Sequence, residues 1–249
     1  MTTVAAVDDP LAPLLELPGV SAGVAEARAA VDALLGDRVL RRRSADVSAE
    51  SSLRGAWAAA RLSGSAAELA EVRSGAAQAD PLVQGALRAA GAVGTLADTW
   101  SRAPRQALAR LHALAAADLA ASDTLGRPTA GARRLDTLAD VLAETAAPAV
   151  IVAGLVHGEI SSLDAFAPVS SVVALAAERL VLITRGLDPK SLVVVEAGHL
   201  ELRADHAAAL DAYRTGTPEG IGHWLRHCCD AVASGAVEAQ AICQSLLRG

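Results

Sequence analysis

The sequence predicts a mostly α protein built as a single-domain helical bundle, and three observations predict it. Apolar residues make up 52% of the 249 residues and aromatics only 2%, so the core is Ala, Val and Leu. Those apolar residues recur at a spacing near 3.6 along most of the chain, the period of a helix with one buried face. Val193-Val194-Val195 is the one β-like run, too short to imply a sheet. We therefore expect little or no β structure.

The elements follow in order. Val20 to Leu40 reads as a first helix with Ser21 as its N-cap. Arg41-Arg42-Arg43 then reads as a solvated helix end favoured by the C-terminal dipole; the rival reading is a nucleic-acid contact. A second helix covers Ala49 to Leu62, and Ser65-x-x-Glu68 has the spacing of a capping box before a short helix. Asp80-Pro81 is an N-cap followed by Pro at the first helical position, opening a helix to about Asp98. Ala103 to Ala121 is helical, and the polar SDTLGRPTAG after it is a loop.

Arg134 to Glu144 and Val150 to Ser161 are two further helices, split by Pro148. Val172 to Arg185 is strongly apolar, with Val172, Ala176, Leu180 and Ile183 on one face and Gly186 and Pro189 as stop signals. Thr217-Pro218-Glu219 opens a helix to Ala233, and Gly235 separates it from a last one ending near Leu247. Neither a repeat of 20–50 residues nor a Gly/Ser linker divides the chain. The expectation is a flexible N-terminal tail over residues 1–20 and one helical domain over 21–249.

Composition narrows the function. Lys+Arg 22 against Asp+Glu 28 gives a net charge of -6, which argues against nucleic acid as the partner. The apolar content argues against disorder. The three Cys are too few for a disulfide scaffold, and in a reducing compartment they pack as small core residues. MTTVAAVDDPLAPLLELPGV has no basic n-region and carries Asp8, Asp9 and Glu16 where a signal peptide would be apolar. The longest uncharged stretches fall short of the roughly 18–20 residues of a membrane span. These features predict a cytoplasmic protein without a membrane partner. Arg supplies nearly all the basic charge, Lys190 being the single Lys, and with abundant Ala and Gly this points to a GC-rich bacterial genome.

Chemical motifs are sparse. Gly85, Gly91 and Gly94 lack the G-x-G-x-x-G spacing and follow no strand, so close helix packing is the reading. Neither G-x-S-x-G nor a P-loop occurs. His223 and His227 lie four apart, a spacing that two ligands of one zinc would use, but no carboxylate falls between them as in H-E-x-x-H. The alternative is a half-exposed helix face with two ordinary His. His199 and His206 read as separate, among loop and Ala. Glu159, Asp164, Glu178 and Glu196 read as scattered surface charges or caps. No cofactor and no metal are expected.

Two segments, residues 50–75 and 156–189, resemble the Fic (Fido) family of helical nucleotidyltransferases. In that family an early helix carries the inhibitory S-S-x-I-E-G, and about a hundred residues later H-x-F-x-[D/E]-G-N-G-R-x-x-R leads into a buried helix. Ala59-Ala60-Arg61-Leu62-Ser63-Gly64 takes the place of the first pattern, and residues 164–175, from Asp164 to Leu175, that of the second. The LHALAAADL helix, the LGRP turn and the TGTPEGIGHWLRH segment follow the family's order of parts. The resemblance spans roughly residues 45–245 and implies a Fic/Fido-like helical fold.

Position by position, the resemblance also implies that the family's chemistry is lost. The general-base His corresponds to Asp164; a free Asp, with pKa about 3.9, is a poor base near neutrality. Losing a positioned base costs about 10²–10⁴ in rate. The metal-holding acidic residue corresponds to Pro168, which has no side-chain oxygen. The G-N-G anion nest corresponds to Val169-Ser170-Ser171, and β-branched Val disfavours φ > 0. Ser170 or Ser171 serves instead as an N-cap in this reading. The two phosphate-binding Arg correspond to Val172 and Leu175, and Arg179, one turn on, cannot replace them without moving the ligand. Phe166 alone is kept, as an anchor beneath the loop. In the inhibitory motif, Ala59 stands at a Ser position and Ser63 at the Glu position, so the Glu–Arg pair that blocks nucleotide has lost both partners. The reading is a Fic-like pseudoenzyme acting through an unidentified protein partner, with a homodimer as one form of it. Two rivals stand beside it: residual or altered transfer using Asp164 and the Ser170 and Ser171 hydroxyls, and an unrelated helical protein with a metal or small-molecule site at His223 and His227.

Overall fold

Two helices have no polar face: α8 (Ala149–Ser162) and α9 (Ser170–Thr184). Every residue of α9 from Val172 to Leu182 is buried. A helix apolar all round must be covered on all sides, and the remaining elements do this. A computed structural model describes residues 9–248. Before the central pair come α1 (Ala12–Leu15), α2 (Val20–Leu35), α3 (Leu40–Leu62), α4 (Leu69–Ser74) and a 3₁₀ turn over Ala76–Ala79. They are followed by α5 (Pro81–Arg102), α6 (Pro104–Ala115) and α7 (Ala132–Glu144). After the pair come α10 (Val195–Glu201), α11 (Arg203–Arg214) and α12 (Pro218–Arg248). No strand occurs among the described residues, so the mostly α expectation holds.

α3, α5 and α6 cover one flank of α9, while α12 lies along α2, α8, α10 and α11. Local signals fix several ends. Asp80 accepts from the N–H of Leu82 at 2.9 Å and of Val83 at 3.4 Å, with Pro81 in the first turn of α5. Thr217 accepts from the Gly220 N–H at 3.1 Å to start α12.

Other ends differ from the sequence reading. Arg41-Arg42-Arg43 begins α3, which kinks at Arg43 (φ -120°, ψ 18°), instead of closing the helix before it. α2 is capped by Gly19 at φ 78°, while the Ser21 hydroxyl donates back to Leu15 O at 2.7 Å. The capping box before α4 pairs Glu68 with Glu71, and Ser65 instead donates to Asp80 at 2.6 Å. Gly235 does not divide the last helix. A Cβ there would stand 2.6 Å from Val194 O, so its bare backbone lets the 192–195 stretch dock on an unbroken α12. The Val194 N–H donates to Gly235 O at 3.1 Å, which is where the β-like run finds its partner. Of the expected flexible tail, residues 9–20 are held: the Asp9 carboxylate accepts from Thr145 Oγ1 at 2.7 Å and Ala146 N at 2.6 Å, and Leu11 is buried. Residues 1–8 lie outside the described residues.

Of Gly85, Gly91 and Gly94, only the first permits close packing. A Cβ on Gly85 would lie 2.2 Å from the Ala115 carbonyl oxygen, where α5 crosses the end of α6. Gly91 and Gly94 face open space.

Charged residues of the bundle interior are paired. Arg179 on α9 donates to Glu196 on α10, through Nε to Oε1 at 2.9 Å and through Nη2 to Oε2. Its Nη1 donates to Ser191 Oγ at 3.0 Å. Both ionic side chains are buried. Glu159 on α8 accepts from Arg134 at 2.5 and 2.8 Å and from the Tyr213 hydroxyl at 2.5 Å. Glu159, Glu178 and Glu196 are thus interior residues, not surface charges; Asp164 alone of the four is exposed.

Two predictions follow from this packing. Gly85→Ala overpacks backbone against backbone at a cost of about 2–3 kcal/mol, seen as a Tm lowered by about 5–10 °C. Gly91→Ala, with room and ordinary helical φ, gains about 0.5–1 kcal/mol; thermal unfolding of the pair checks the contrast. Arg179→Met or Glu196→Leu alone strands a buried charge and costs about 3–5 kcal/mol in urea unfolding, whereas the double variant regains most of it.

Candidate functional site

The loop between α8 and α9 forms the corner where the sequence resemblance puts its chemistry. Asp164 is exposed at φ 47°, and its carbonyl accepts from Thr129 Oγ1 at 2.9 Å. Thr129 Oγ1 also accepts from Ala167 N at 3.2 Å. Phe166 is 2% exposed and packs against the His112 ring at 5.3 Å between centroids. Pro168 is exposed. Val169 holds the N-cap position of α9 with φ -118°, outside the left-handed region an anion nest needs. Neither serine caps α9. Ser170 is the first helical residue, and its Oγ accepts from Phe166 N at 2.9 Å, turning back to close the corner; Ser171 is half-buried.

Val172 and Leu175 point away from solvent, at 2% and 0% exposure. Ala59 of α3 lies with them, and Ala86, Ala89 and Val93 of α5 close the same crevice. The room left there for a water-sized sphere is about 10 Å³, at the lower limit of the roughly 10–15 Å³ that one water needs. Ala59, Val172 and Leu175 thus line one crevice, walled mostly by small apolar residues with the Glu196 carboxylate at one side; Ser63, at the position whose Glu would face Leu175 in the resemblance, is not among its lining residues. Ser63 ends α3 with its hydroxyl donating to Ala59 O at 2.8 Å.

The polar cluster gathers around Glu178, one turn beyond Leu175 along α9, at residues that read as separate in the sequence. His157 from α8, Glu178 from α9, His199 from α10, Asp205 and His206 from α11 and His227 from α12 converge there. Glu178 Oε2 faces His157 Nδ1 at 2.8 Å and His199 Nε2 at 2.9 Å, and all three side chains are fully buried. Burial by itself would raise the Glu178 carboxyl; the His199 and His157 rings outweigh it and hold the carboxyl well below the usual carboxylate range. Asp205 faces His227 Nδ1 at 2.9 Å and His223 Nε2 at 3.1 Å. The i,i+4 pair His223 and His227 therefore shares a carboxylate, and the ε nitrogen of His227 turns inward, to His199 Nδ1 at 2.9 Å. Burial and the His199 ring push the His227 imidazole down to about 4, against the opposing pull of Asp205. Burial also pushes His157 and His206 down.

Trp224 roofs the cluster. Its ring stacks on His199 at 6.2 Å and 13°, and its Nε1 donates to Gly154 O at 2.7 Å. A groove of about 310 Å³, rimmed by Glu26, Asp205, His223 and Asp230, leads from the surface to His227. Cys228, Cys229 and Cys243 are buried and unbridged, and burial raises their thiols, Cys229 to about 12, so they fill core space as expected. The signal available in the sequence was Glu178-Arg179 inside an otherwise apolar helix. It marks buried partners on two sides but does not say which.

No family model matches this sequence, and no curated protein matches it. Among solved structures, the chain is similar to a Fic family protein from Desulfovibrio desulfuricans G20, with a TM-score of 0.73 and 17% identity. The match covers 90% of this chain and 75% of that one. No helix among the described residues is long and apolar enough to cross a membrane. The chain thus has a Fic/Fido-like fold.

Proposed function

We propose that this chain is a Fic-like protein that does not transfer nucleotides and acts through contacts with another copy of itself. The observation that carries the first half is the crevice of about 10 Å³ between Ala59, Val172 and Leu175. The resemblance puts two phosphate-gripping guanidinium groups there. Apolar packing supplies neither the cations nor the room for a triphosphate. The exposed Asp164 carboxylate in the loop before α9 repels phosphate, and Pro168 offers a metal no side-chain oxygen.

The contact surface in this reading is the C-terminal end of α12. Val237 and Leu247, 60% and 73% exposed, are the large exposed apolar side chains among the described residues, and both lie on α12. Leu246 and Leu247 stand with Val39, Arg38, Arg42 and Arg43 around a shallow groove of about 680 Å³. Burying an exposed Leu contributes about 1.5–3 kcal/mol, and a second copy presents the same patch, as a two-fold interface requires.

With ATP and Mg²⁺ the melting temperature should not move. A true ligand at a hundredfold excess over Kd adds about 2.7 kcal/mol, several degrees for a chain of this size. Label from ATP should appear neither on the protein nor on added lysate; either signal would overturn the first half. Light scattering should give twice the chain mass at micromolar concentration and the single mass for Leu247→Asp. A monomeric wild type would overturn the contact.

A further inference from the structure

We propose that His199, His206 and His227 bind one first-row transition-metal ion of the zinc class, with Glu178 and Asp205 holding the imidazoles in place. Three nitrogens define the site. His199 Nδ1 and His227 Nε2 are 2.9 Å apart, and His206 Nδ1 is 3.2 Å from each. Nitrogens at about 2.0–2.1 Å from one ion, at angles between octahedral and tetrahedral, stand about 2.9–3.4 Å apart. The triangle has that size.

Proton placement gives the stronger argument. A carboxylate only accepts, so a ring nitrogen against it carries the hydrogen. Glu178 therefore fixes the proton of His199 on Nε2, and Asp205 fixes that of His227 on Nδ1. The nitrogens left over, His199 Nδ1 and His227 Nε2, both present lone pairs, and they face each other at 2.9 Å. His206 Nδ1 can offer at most one proton to the two of them. A hydrogen-bond network leaves this arrangement unsatisfied; a cation at the apex of the triangle satisfies all three nitrogens at once.

The surroundings agree. Each of the two carboxylates lies one imidazole away, the carboxylate–histidine–metal pattern that orients ligand rings and raises their basicity. Their two negative charges balance a divalent ion buried among neutral rings. His157, donating to the same oxygen of Glu178 at 2.8 Å, fixes that carboxylate in turn and acts as a positioning residue. Imidazole-only donors suit zinc, copper, iron or nickel over magnesium or calcium. Three protein ligands leave one position for water or a small anion, as in catalytic zinc sites. The groove lined by Glu26, Asp205 and Asp230, with Arg226 as its one cation, reaches His227 from solvent.

The test is metal stoichiometry of the whole protein. After loading with ZnSO₄ and dialysis, mass spectrometry should find about one zinc per chain. Co²⁺ in its place should give a visible d–d band. His206 is the partly exposed ligand, so His206→Ala should keep the helical circular dichroism and lose the metal. Asp205→Asn and Glu178→Gln should weaken zinc about 10–100-fold. His223→Ala should keep the stoichiometry, because His223 faces the outer side of Asp205. Less than a tenth of an equivalent of zinc, cobalt, nickel, copper or iron would overturn the proposal. So would zinc retained by a folded His206→Ala, or a proton resonance showing a cationic imidazole shared between His199 and His227. None of these outcomes depends on whether the chain transfers nucleotides or dimerises.

Discussion

A carboxylate and a guanidinium stand side by side on the one helix that has no solvent face. Consecutive residues on an α-helix point about 100° apart, so Glu178 and Arg179 look into different parts of the interior. An unpaired charge there would cost several kcal/mol. Much of the architecture answers these two groups. α8 supplies His157 to Glu178. α10 answers both, with Glu196 to Arg179 and His199 to Glu178; the two residues are three apart and share a face. α10 has only seven residues, too few to stand alone in water. Its place is fixed by those two contacts and by the passage of 192–195 over Gly235 of α12. The position of α10 in turn sets where α11 and the histidines of the cluster converge.

The corner before α9 is closed by its own side chains and backbone. Its inward donors and acceptors are satisfied by Thr129, Ser170 and the backbone, and Phe166 anchors it against His112. The scaffold requires only helix order, an apolar central pair and a closed corner. Phosphate chemistry requires cations, a nest of N–H groups and room beside them. The first set is independent of the second, so a Fic/Fido-like fold does not by itself carry phosphate chemistry.

Helix existence was legible because periodicity and local caps are written within a few residues of one another. Asp80-Pro81 and Thr217-Pro218 announce α5 and α12, and the apolar α8 and α9 announce the centre. The resemblance set Ser63 against Leu175, whereas the crevice beside Leu175 is lined by Ala59 and Val172 and not by Ser63. What misled was local chemistry overridden by distant packing. Gly235 reads as a break until Val194 is known to press on it. Arg41-Arg42-Arg43 reads as a helix end until α3 is seen to start at Leu40. The cluster was illegible for a related reason. His199 and His227 are 28 residues apart, in elements whose relative placement depends on α9, and no spacing rule reaches across that distance. The i,i+4 pair His223 and His227 drew attention to the right helix and the wrong partner, because Asp205 turns the two rings to different tasks.

Composition adds weight to the cluster. The chain has six His and one Phe, one Tyr and three Trp in 249 residues, so rings are scarce. Four of the six His lie around Glu178, with Trp224 stacked on His199 and edge-on to His157 and His206. Stability alone does not favour this. Apolar side chains of the same volume would fill the space without desolvating a carboxylate, and such replacements in other proteins are neutral or stabilising. Glu178 Oε1 and His157 Nε2 have no partner among the described residues, a further cost of burial without return. A protein that builds the rest of its core from Ala, Val and Leu has concentrated its scarce imidazoles at one point, around Glu178 one turn beyond Leu175 on α9.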